Sequence, residues 1–417
     1  MCFPEATNRC GRSRRVASNQ AGYASASAAG RCCEPVSRAL FLPSGSHRMR
    51  SLLLALLIVL VASAAAIWFL VDRDLRELEA RLLGRSQLVE TSFGSIEYAS
   101  LGNGHPVLAI HGSGGGFDQG LEFVGPLADH GFRLIAPSRF GYLRTPAPAD
   151  FTLEQQADAY VDLLDHLGLD KVVVFGGSAG ALSAMQFAIR HPERCEALVL
   201  LVPASYAPDR RPTESGAESR FAETVMMTAL RSDFLFWSAI RLAPDAMTRL
   251  ILATEPALVH AASQKEQARV RAALKHVLPV SRRAEGLLFD SRTAGNPPPM
   301  ELEKIACPVL AISAEDDLYG TAASARYVVA NVPAGKLLLY PRGGHLLVGH
   351  SEQVWRSVAS FIAEVLTDVN VAGGIPHDWR PACLPSRAHS ETFGGSFPDQ
   401  PHLDVFDNCQ TRCAKDR

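Results

Sequence analysis

The sequence has almost no charge bias. Lys and Arg together number 41 and Asp and Glu 43, a formal net charge of -2 over 417 residues. That removes the long-range attraction on which a nucleic-acid partner would depend. Cysteine is scarce where a fold would use it. Of 9 cysteines, Cys2, Cys10, Cys32 and Cys33 lie in the first tail and Cys383, Cys409 and Cys413 in the last, leaving Cys195 and Cys307 in the body. The tails carry no repeated C-x-x-C and no matching His spacing, which argues against a disulfide scaffold and against a zinc site. No nucleotide-binding glycine pattern follows a first strand either. Neither a metal nor a cofactor is therefore expected. What is present is an ordinary globular composition, 47% hydrophobic and 20% charged, long enough for a large core.

The first 48 residues are rich in Ser, Ala, Gly and Arg without an apolar period and read as a disordered tail, after which Met49 is well placed as an alternative start. Ser51 to Val71 is apolar or small throughout. About 21 residues at ~1.5 Å each would cross a hydrocarbon layer of ~30 Å. Arg48 and Arg50 precede the run, and Trp68 and Phe69 sit near its far end as interface anchors. Ala62-Ser63-Ala64 fits a signal-peptidase site, but the run continues past it, which favours an uncleaved membrane helix over residues 49–71. The Arg-rich flank would stay cytoplasmic, so a single-pass chain with its main domain outside is expected, with secretion after cleavage as the alternative. Leu75, Leu78 and Leu82 recur at helical spacing among charges and predict a short amphipathic stalk over 72–86.

The remainder is organised around Lys171 to Pro192. Four apolar residues, Val172 to Phe175, suit a buried parallel strand; Gly176-Gly177-Ser178-Ala179-Gly180 follows; an apolar helical run then ends at Pro192. A serine on such a strand–turn–helix is lifted above the sheet edge, next to a helix N-terminus that favours negative charge. The turn is crowded and strained, hence its small residues. Around it, strands alternate with helices in the manner of a parallel α/β sheet. Leu88 to Ala99 reads as a hairpin, Val107 to Ile110 as a strand, and Thr152 with Gln155 as a capping box. From 205 to 299 the pattern turns helical (Phe221, Val225, Met226, Ala229; Leu230, Phe234, Trp237), then the alternation resumes with Val309 to Ile312. The expected organisation is therefore one core, 87–204 and 300–367, carrying a helical insertion, with an unpatterned tail over 368–417.

A serine hydroxyl needs a base, and the base an orienting carboxylate. Candidates follow strand ends in the order Ser, Asp, His. Ser313-Ala314-Glu315-Asp316-Asp317 follows one strand, and Pro341-Arg342-Gly343-Gly344-His345 the next. After Val107–Ile110 come His111-Gly112-Ser113-Gly114-Gly115-Gly116, a loop whose backbone N–H groups can approach an oxyanion.

Four motifs in order carry a resemblance: His-Gly-x-Gly, Gly-x-Ser-x-Gly, the acid loop after the insertion, and Gly-His. From about Leu88 to Leu366 the chain resembles α/β-hydrolase-fold enzymes with a helical cap. The resemblance implies a mostly parallel sheet flanked by helices, Ser178 as nucleophile, His345 as base, and the N–H groups of Ser113 and Ala179 as oxyanion donors. For the acid it points to Asp317, with Asp316 and Glu315 open. It also implies that His111 braces its loop. Ser138-Arg139-Phe140-Gly141-Tyr142-Leu143 departs from the family's acidic-then-Gly-x-Gly loop. A serine nucleophile argues against the haloalkane dehalogenases and epoxide hydrolases of the family. The leading expectation is hydrolysis of a small carboxylic ester, lactone or thioester with an apolar part, which Phe234, Phe236, Trp237 and Met226 of the cap suggest. A carbon–carbon hydrolase of ring-cleavage products and a catalytically dead membrane-anchored binding protein are the alternatives.

Overall fold

The computed structural model describes residues 45–210, 228 and 230–373. Most of the two expected tails, 1–44 and 374–417, and Phe221, Val225, Met226 and Ala229 of the insertion, lie outside the described residues; the described ends of the tails, 45–48 and 368–373, are helical instead, because each continues an adjoining helix.

Eight strands form one sheet: β1 (Gln87–Thr91), β2 (Gly94–Leu101), β3 (His105–Ile110), β4 (Phe132–Pro137), β5 (Val172–Gly177), β6 (Cys195–Leu201), β7 (Val309–Ala314) and β8 (Gly335–Tyr340), in the order β1-β2-β4-β3-β5-β6-β7-β8. The hairpin β1–β2 and its junction to β4 are antiparallel, and every other pairing is parallel. The continuous apolar character of β5 follows from its central place. All six of its residues are buried, with Val172 and Val174 packed into the core on one face and Val173 and Phe175 on the other.

Helices α1 (Gly45–Ala80), α2 (Phe117–Val124), α3 (Leu153–His166) and α4 (Gly180–Arg190) precede the insertion. Both halves of the predicted capping box are formed at α3: Gln155 N donates to Thr152 Oγ1 at 3.3 Å and Thr152 N to Gln155 Oε1 at 3.1 Å. The insertion contributes α5 (Asp233–Leu242), α6 (Pro244–Ile251), α7 (Pro256–Ala261), α8 (Gln264–Lys275) and α9 (Ala284–Thr293); α10 (Thr321–Asn331) and α11 (Ser351–Gly373) return to the core. The body cysteines sit side by side where β6 begins and just ahead of β7, their Sγ atoms 3.4 Å apart as free thiols. The hydrogen bond with Cys307, and then burial, push the Cys195 thiol well up, which leaves it unreactive.

The contacts divide the chain into residues 1–65 and 66–417. In the first unit the described residues begin α1, whose large apolar side chains from Leu52 to Val61 are exposed. By length and composition the helix over His47–Ala80 could cross a membrane, a test that a signal sequence also passes. In the second unit the leucine stripe expected of an amphipathic stalk over 72–86 is present as far as Ala80 in the same helix as the apolar run, and its residues are packed against the domain. Val71, Leu75 and Leu78 pack against Phe236, Trp237 and Leu278 of the cap. Asp74 is buried and accepts from Trp237 Nε1 at 2.9 Å and from Arg241. A half-apolar helix face finds a half-apolar cap face, which neither could leave in water without cost.

Just past α1, Arg81 Nη2 donates to Asp118 Oδ2 at 2.7 Å, and Arg283, fully buried at the start of α9, donates to both oxygens of Asp118 at 3.2 and 3.0 Å. Burial by itself would raise the Asp118 pKa, but the Arg283 and Arg81 guanidiniums outweigh it and hold the carboxyl well below the usual carboxylate range. A depressed folded-state pKa supplies stability that is present above the unfolded value of about 3.9 and is lost as the pH falls towards the folded value. Asp118→Asn should therefore lower the thermal midpoint at pH 7 and flatten its decline between about pH 5 and pH 3. Melting curves across that range check this, and a slope equal to wild type would contradict it.

Candidate active site

The elbow is built from crowding. Ser178 has a φ of 50°, a left-handed conformation that a non-glycine residue holds only when its surroundings impose it. Those surroundings are backbone bonds: Ser178 N donates to Leu201 O at 2.9 Å, and Ala204 N to Ser178 O at 3.1 Å. The two motif glycines make room. A Cβ on Gly176 would stand 2.6 Å from Ala184 Cβ, and one on Gly180 would strike the backbone oxygens of His111 and Ile110. Gly180→Ala is expected to cost about 1–3 kcal/mol of stability by overpacking the strand–helix junction, as read from urea unfolding. A change within 0.5 kcal/mol, roughly the scale of a surface substitution, would refute that packing.

His345 lies on the loop after β8 and Asp317 on the loop after β7. His345 Nε2 is 2.9 Å from Ser178 Oγ, and His345 Nδ1 is 2.8 Å from Asp317 Oδ2. The three acids that the sequence left open have three different partners. Asp317 faces the histidine. Asp316 accepts from Gly344 N at 2.8 Å, bracing the histidine loop, and Glu315 pairs with Arg326 at the surface. Asp317 is further held by Tyr319 N at 2.8 Å and by the Thr321 hydroxyl, and its side chain is sealed from solvent. The Tyr319 ring stands edge-on to His345 with centroids 5.0 Å apart. Burial, then the Asp317 charge, push the Tyr319 phenol up to about 12, so it stays neutral beside the imidazole.

On the opposite side, the loop after β3 comes close to the serine because Gly112 has no side chain: a Cβ there would lie 3.1 Å from Ser178 Cβ. Among the described residues neither Ser113 N nor Ala179 N donates a hydrogen bond. His111 Nδ1–H donates to Gly112 O at 2.7 Å, and its Nε2 accepts from Arg139 N at 2.9 Å. Burial, then the Arg139 charge, push its pKa well down. It is a neutral brace, and a proton on Nε2 would confront the Arg139 N–H.

Sequence reasoning missed Asp290 of α9. It accepts from Arg139 Nη1 at 2.8 Å and Nη2 at 2.5 Å, from the Tyr142 hydroxyl at 2.5 Å, and from Ser113 Oγ at 2.9 Å. One cap carboxylate thus ties the loop after β4 to the loop that carries Ser113. The signal was half visible: Arg139 and Tyr142 mark where the loop departs from the family pattern, but their shared partner is about 150 residues further along the chain. Among the described residues no group of three or more His, Cys, Asp or Glu side chains could hold a metal ion.

Residues 105–349 match the family model described as alpha/beta hydrolase fold. The chain belongs to the α/β hydrolase fold family. Its relatives include an uncharacterized hydrolase, YcgS of Bacillus subtilis (strain 168), 27% identical over 268 residues, which cover 63% of this chain and 92% of that one. A 2-hydroxymuconate semialdehyde hydrolase of Pseudomonas sp. (strain CF600) is 38% identical over 104 residues, 24% of this chain and 37% of its own length. The alignment therefore spans little more than a third of that enzyme. Among solved structures, an alpha/beta hydrolase fold protein from Nakamurella multipartita superposes with a TM-score of 0.51 at 27% identity, covering 66% of this chain and 98% of that one. At this level of description the chain is a hydrolase of the α/β fold.

Proposed function

We propose that this hydrolase is a serine enzyme that cleaves a carboxylic ester, lactone or thioester with an apolar part, through an acyl-enzyme. The observation that carries the reading is the pair of contacts at His345, 2.9 Å to Ser178 Oγ and 2.8 Å to Asp317. Ser178 Oγ attacks the carbonyl carbon as His345 Nε2 takes its proton, and Asp317 holds the Nδ1–H tautomer and stabilises the imidazolium. The developing oxyanion accepts from Ser113 N–H and Ala179 N–H, a donor type worth about 10²–10³ in rate. His345 returns the proton to the leaving alcohol or thiol. It then activates the water that splits the acyl-enzyme, and Ser178 is regenerated.

Support for an apolar substrate part is narrower than the composition of the cap implied. Phe236 and Trp237 are committed to packing against α1. Val277 and Leu287 belong to the same cluster and also reach Gly114 of the loop after β3. The second reading, hydrolysis of a carbon–carbon bond in a ring-cleavage product, is favoured by the 38% identity to the semialdehyde hydrolase over its matched part. The membrane-anchored, outward-facing placement rests on the apolar helix and its Arg-flanked start.

Membrane and soluble fractions labelled with a fluorophosphonate probe test the reading. Wild type should be labelled in the membrane fraction and Ser178→Ala should not. A labelled band in the soluble fraction would indicate release after cleavage. Folded wild type that takes no label would overturn the serine-hydrolase reading in favour of a binding protein. Turnover of a vinylogous diketone without turnover of a short p-nitrophenyl ester would move the assignment to the carbon–carbon reaction.

A further inference from the structure

The segment that leaves the apolar helix reaches the reacting centre through a chain of buried contacts. Arg81 donates to Asp118 at 2.7 Å; Asp118 accepts from Arg283 at 3.0 and 3.2 Å; Arg283 Nη1 donates to the carbonyl of Gly115. Gly115 lies two residues past Ser113, in a loop closed on itself by Gly115 N to Gly112 O at 3.3 Å. Space around Gly115 is minimal, since a Cβ there would stand 2.6 Å from His111 Nδ1. The loop is therefore tightly packed around Gly115. Arg283 is wholly buried and the Asp118 side chain nearly so, while Arg81 closes the group from the outside with a fifth of its side chain exposed. Two guanidiniums against one carboxylate leave the group with an excess positive charge next to the loop, and Arg81 is the member that the segment after α1 supplies.

We propose that Arg81 is a positioning residue for the oxyanion loop, so that the segment following the apolar helix is a working part of the hydrolase and not a passive tether. This rests on the reading of Ser113 N–H as an oxyanion donor. Asp118 has two oxygens and three charged donor contacts. With Arg81 in place, its Oδ2 is shared and Arg283 is held with one guanidinium nitrogen on Oδ1 and on the Gly115 carbonyl. Without Arg81, Asp118 can turn wholly to Arg283, drawing that guanidinium off the Gly115 carbonyl and releasing the loop. An oxyanion donor works only when it is aimed in advance at where charge develops, so a released loop costs transition-state stabilisation and leaves substrate binding largely intact.

The test uses the full-length chain in detergent or vesicles, with a short p-nitrophenyl ester and the fluorophosphonate probe. Active sites are titrated with the probe so that kcat is counted per competent site and any unfolded fraction drops out. Arg81→Gln is expected to lower kcat about 10-fold, a part of the effect of deleting a donor outright, with KM within about 2-fold. Arg81→Lys should restore most of it by returning a cation to Asp118. Arg76→Gln serves as the control: Arg76 lies in the same segment but pairs with Asp72 on the surface, 3.1 Å from Nε to Oδ1. It should match wild type. A purely structural role for Arg81 would lower the thermal midpoint and leave kcat per titrated site unchanged, and that result overturns the proposal while the hydrolase reading stands. Should Arg81→Gln yield no folded protein, Arg81→Met, which keeps the length of the side chain without its charge, takes its place: a kcat per titrated site about 10-fold below wild type that follows the probe labelling rate supports positioning, and a kcat equal to wild type overturns it. Wild type that neither turns over ester nor takes the probe overturns both.

Discussion

Ser178→Ala is expected to lower ester turnover by about 10⁴–10⁶-fold while the fold stays intact. The size follows from what the substitution removes. On the proposed route, removing Oγ takes away the atom 2.9 Å from His345 Nε2 that would lose its proton and carry the acyl group. The fold survives because the strained turn is held by Leu201 O and Ala204 N, which bond the Ser178 backbone and not its side chain. His345→Ala should cost a similar factor, and Asp317→Asn about 10⁴, since an amide would accept less well from Nδ1–H and favour the wrong tautomer. The double variant Ser178→Ala/His345→Ala should be no slower than either single, because the groups act as one unit. Steady-state kinetics with thermal melts alongside decide it. A Ser178→Ala protein that retains more than about 1% of wild-type turnover would rule out the acyl-enzyme route, as would fully additive losses.

The second large effect is structural and lies in the cap. Asp290→Ala leaves the buried Arg139 guanidinium and Tyr142 hydroxyl, and the hydroxyl of the exposed Ser113, without their acceptor. Burial, then the Asp290 charge, already push the Tyr142 phenol well up, so it remains a neutral donor that loses its partner outright. Breaking a buried ion pair from one side costs about 3–5 kcal/mol, a large share of the 5–15 kcal/mol that holds an ordinary domain. The isolated charge is the reason, so removing both partners should be milder. Arg139→Met/Asp290→Leu is expected to be more stable than Asp290→Ala despite carrying one more substitution. Urea unfolding of the three proteins measures this. An Asp290→Ala protein within about 1 kcal/mol of wild type would mean that the cap does not hold the Arg139 loop through this carboxylate.

Several parts of this molecule were open to reading along the chain because they depend on neighbours in sequence. The elbow is one: a short apolar run, two glycines and a helical run describe strand, turn and helix within about twenty residues. The capping box of α3 is another, decided by Thr152 and Gln155 alone. The run from Ser51 to Val71 announces a long apolar helix by length and composition. The stalk shows where such reading stops. Leucines at helical spacing identify an apolar stripe, but not the cap face that Leu75 and Leu78 cover, nor that Asp74 would be buried against Trp237. The aromatic residues of the cap show the same limit, since composition cannot say whether Phe236 and Trp237 face a ligand or a helix, and here they pack against α1.

The sequence by itself determined the order of the loops that end at the serine, the acid and the histidine, the glycines that let them converge, and the α/β alternation that carries them. Those features are set by local backbone preference and by period. The tertiary structure alone decided which of three successive acids faces His345, that Asp290 gathers Arg139, Tyr142 and Ser113, and that Arg81 and Arg283 share Asp118. These partners stand 28 to 177 residues apart. A buried charge takes whichever counter-charge the fold brings within reach, and that distance is a property of the packed chain that no local pattern carries.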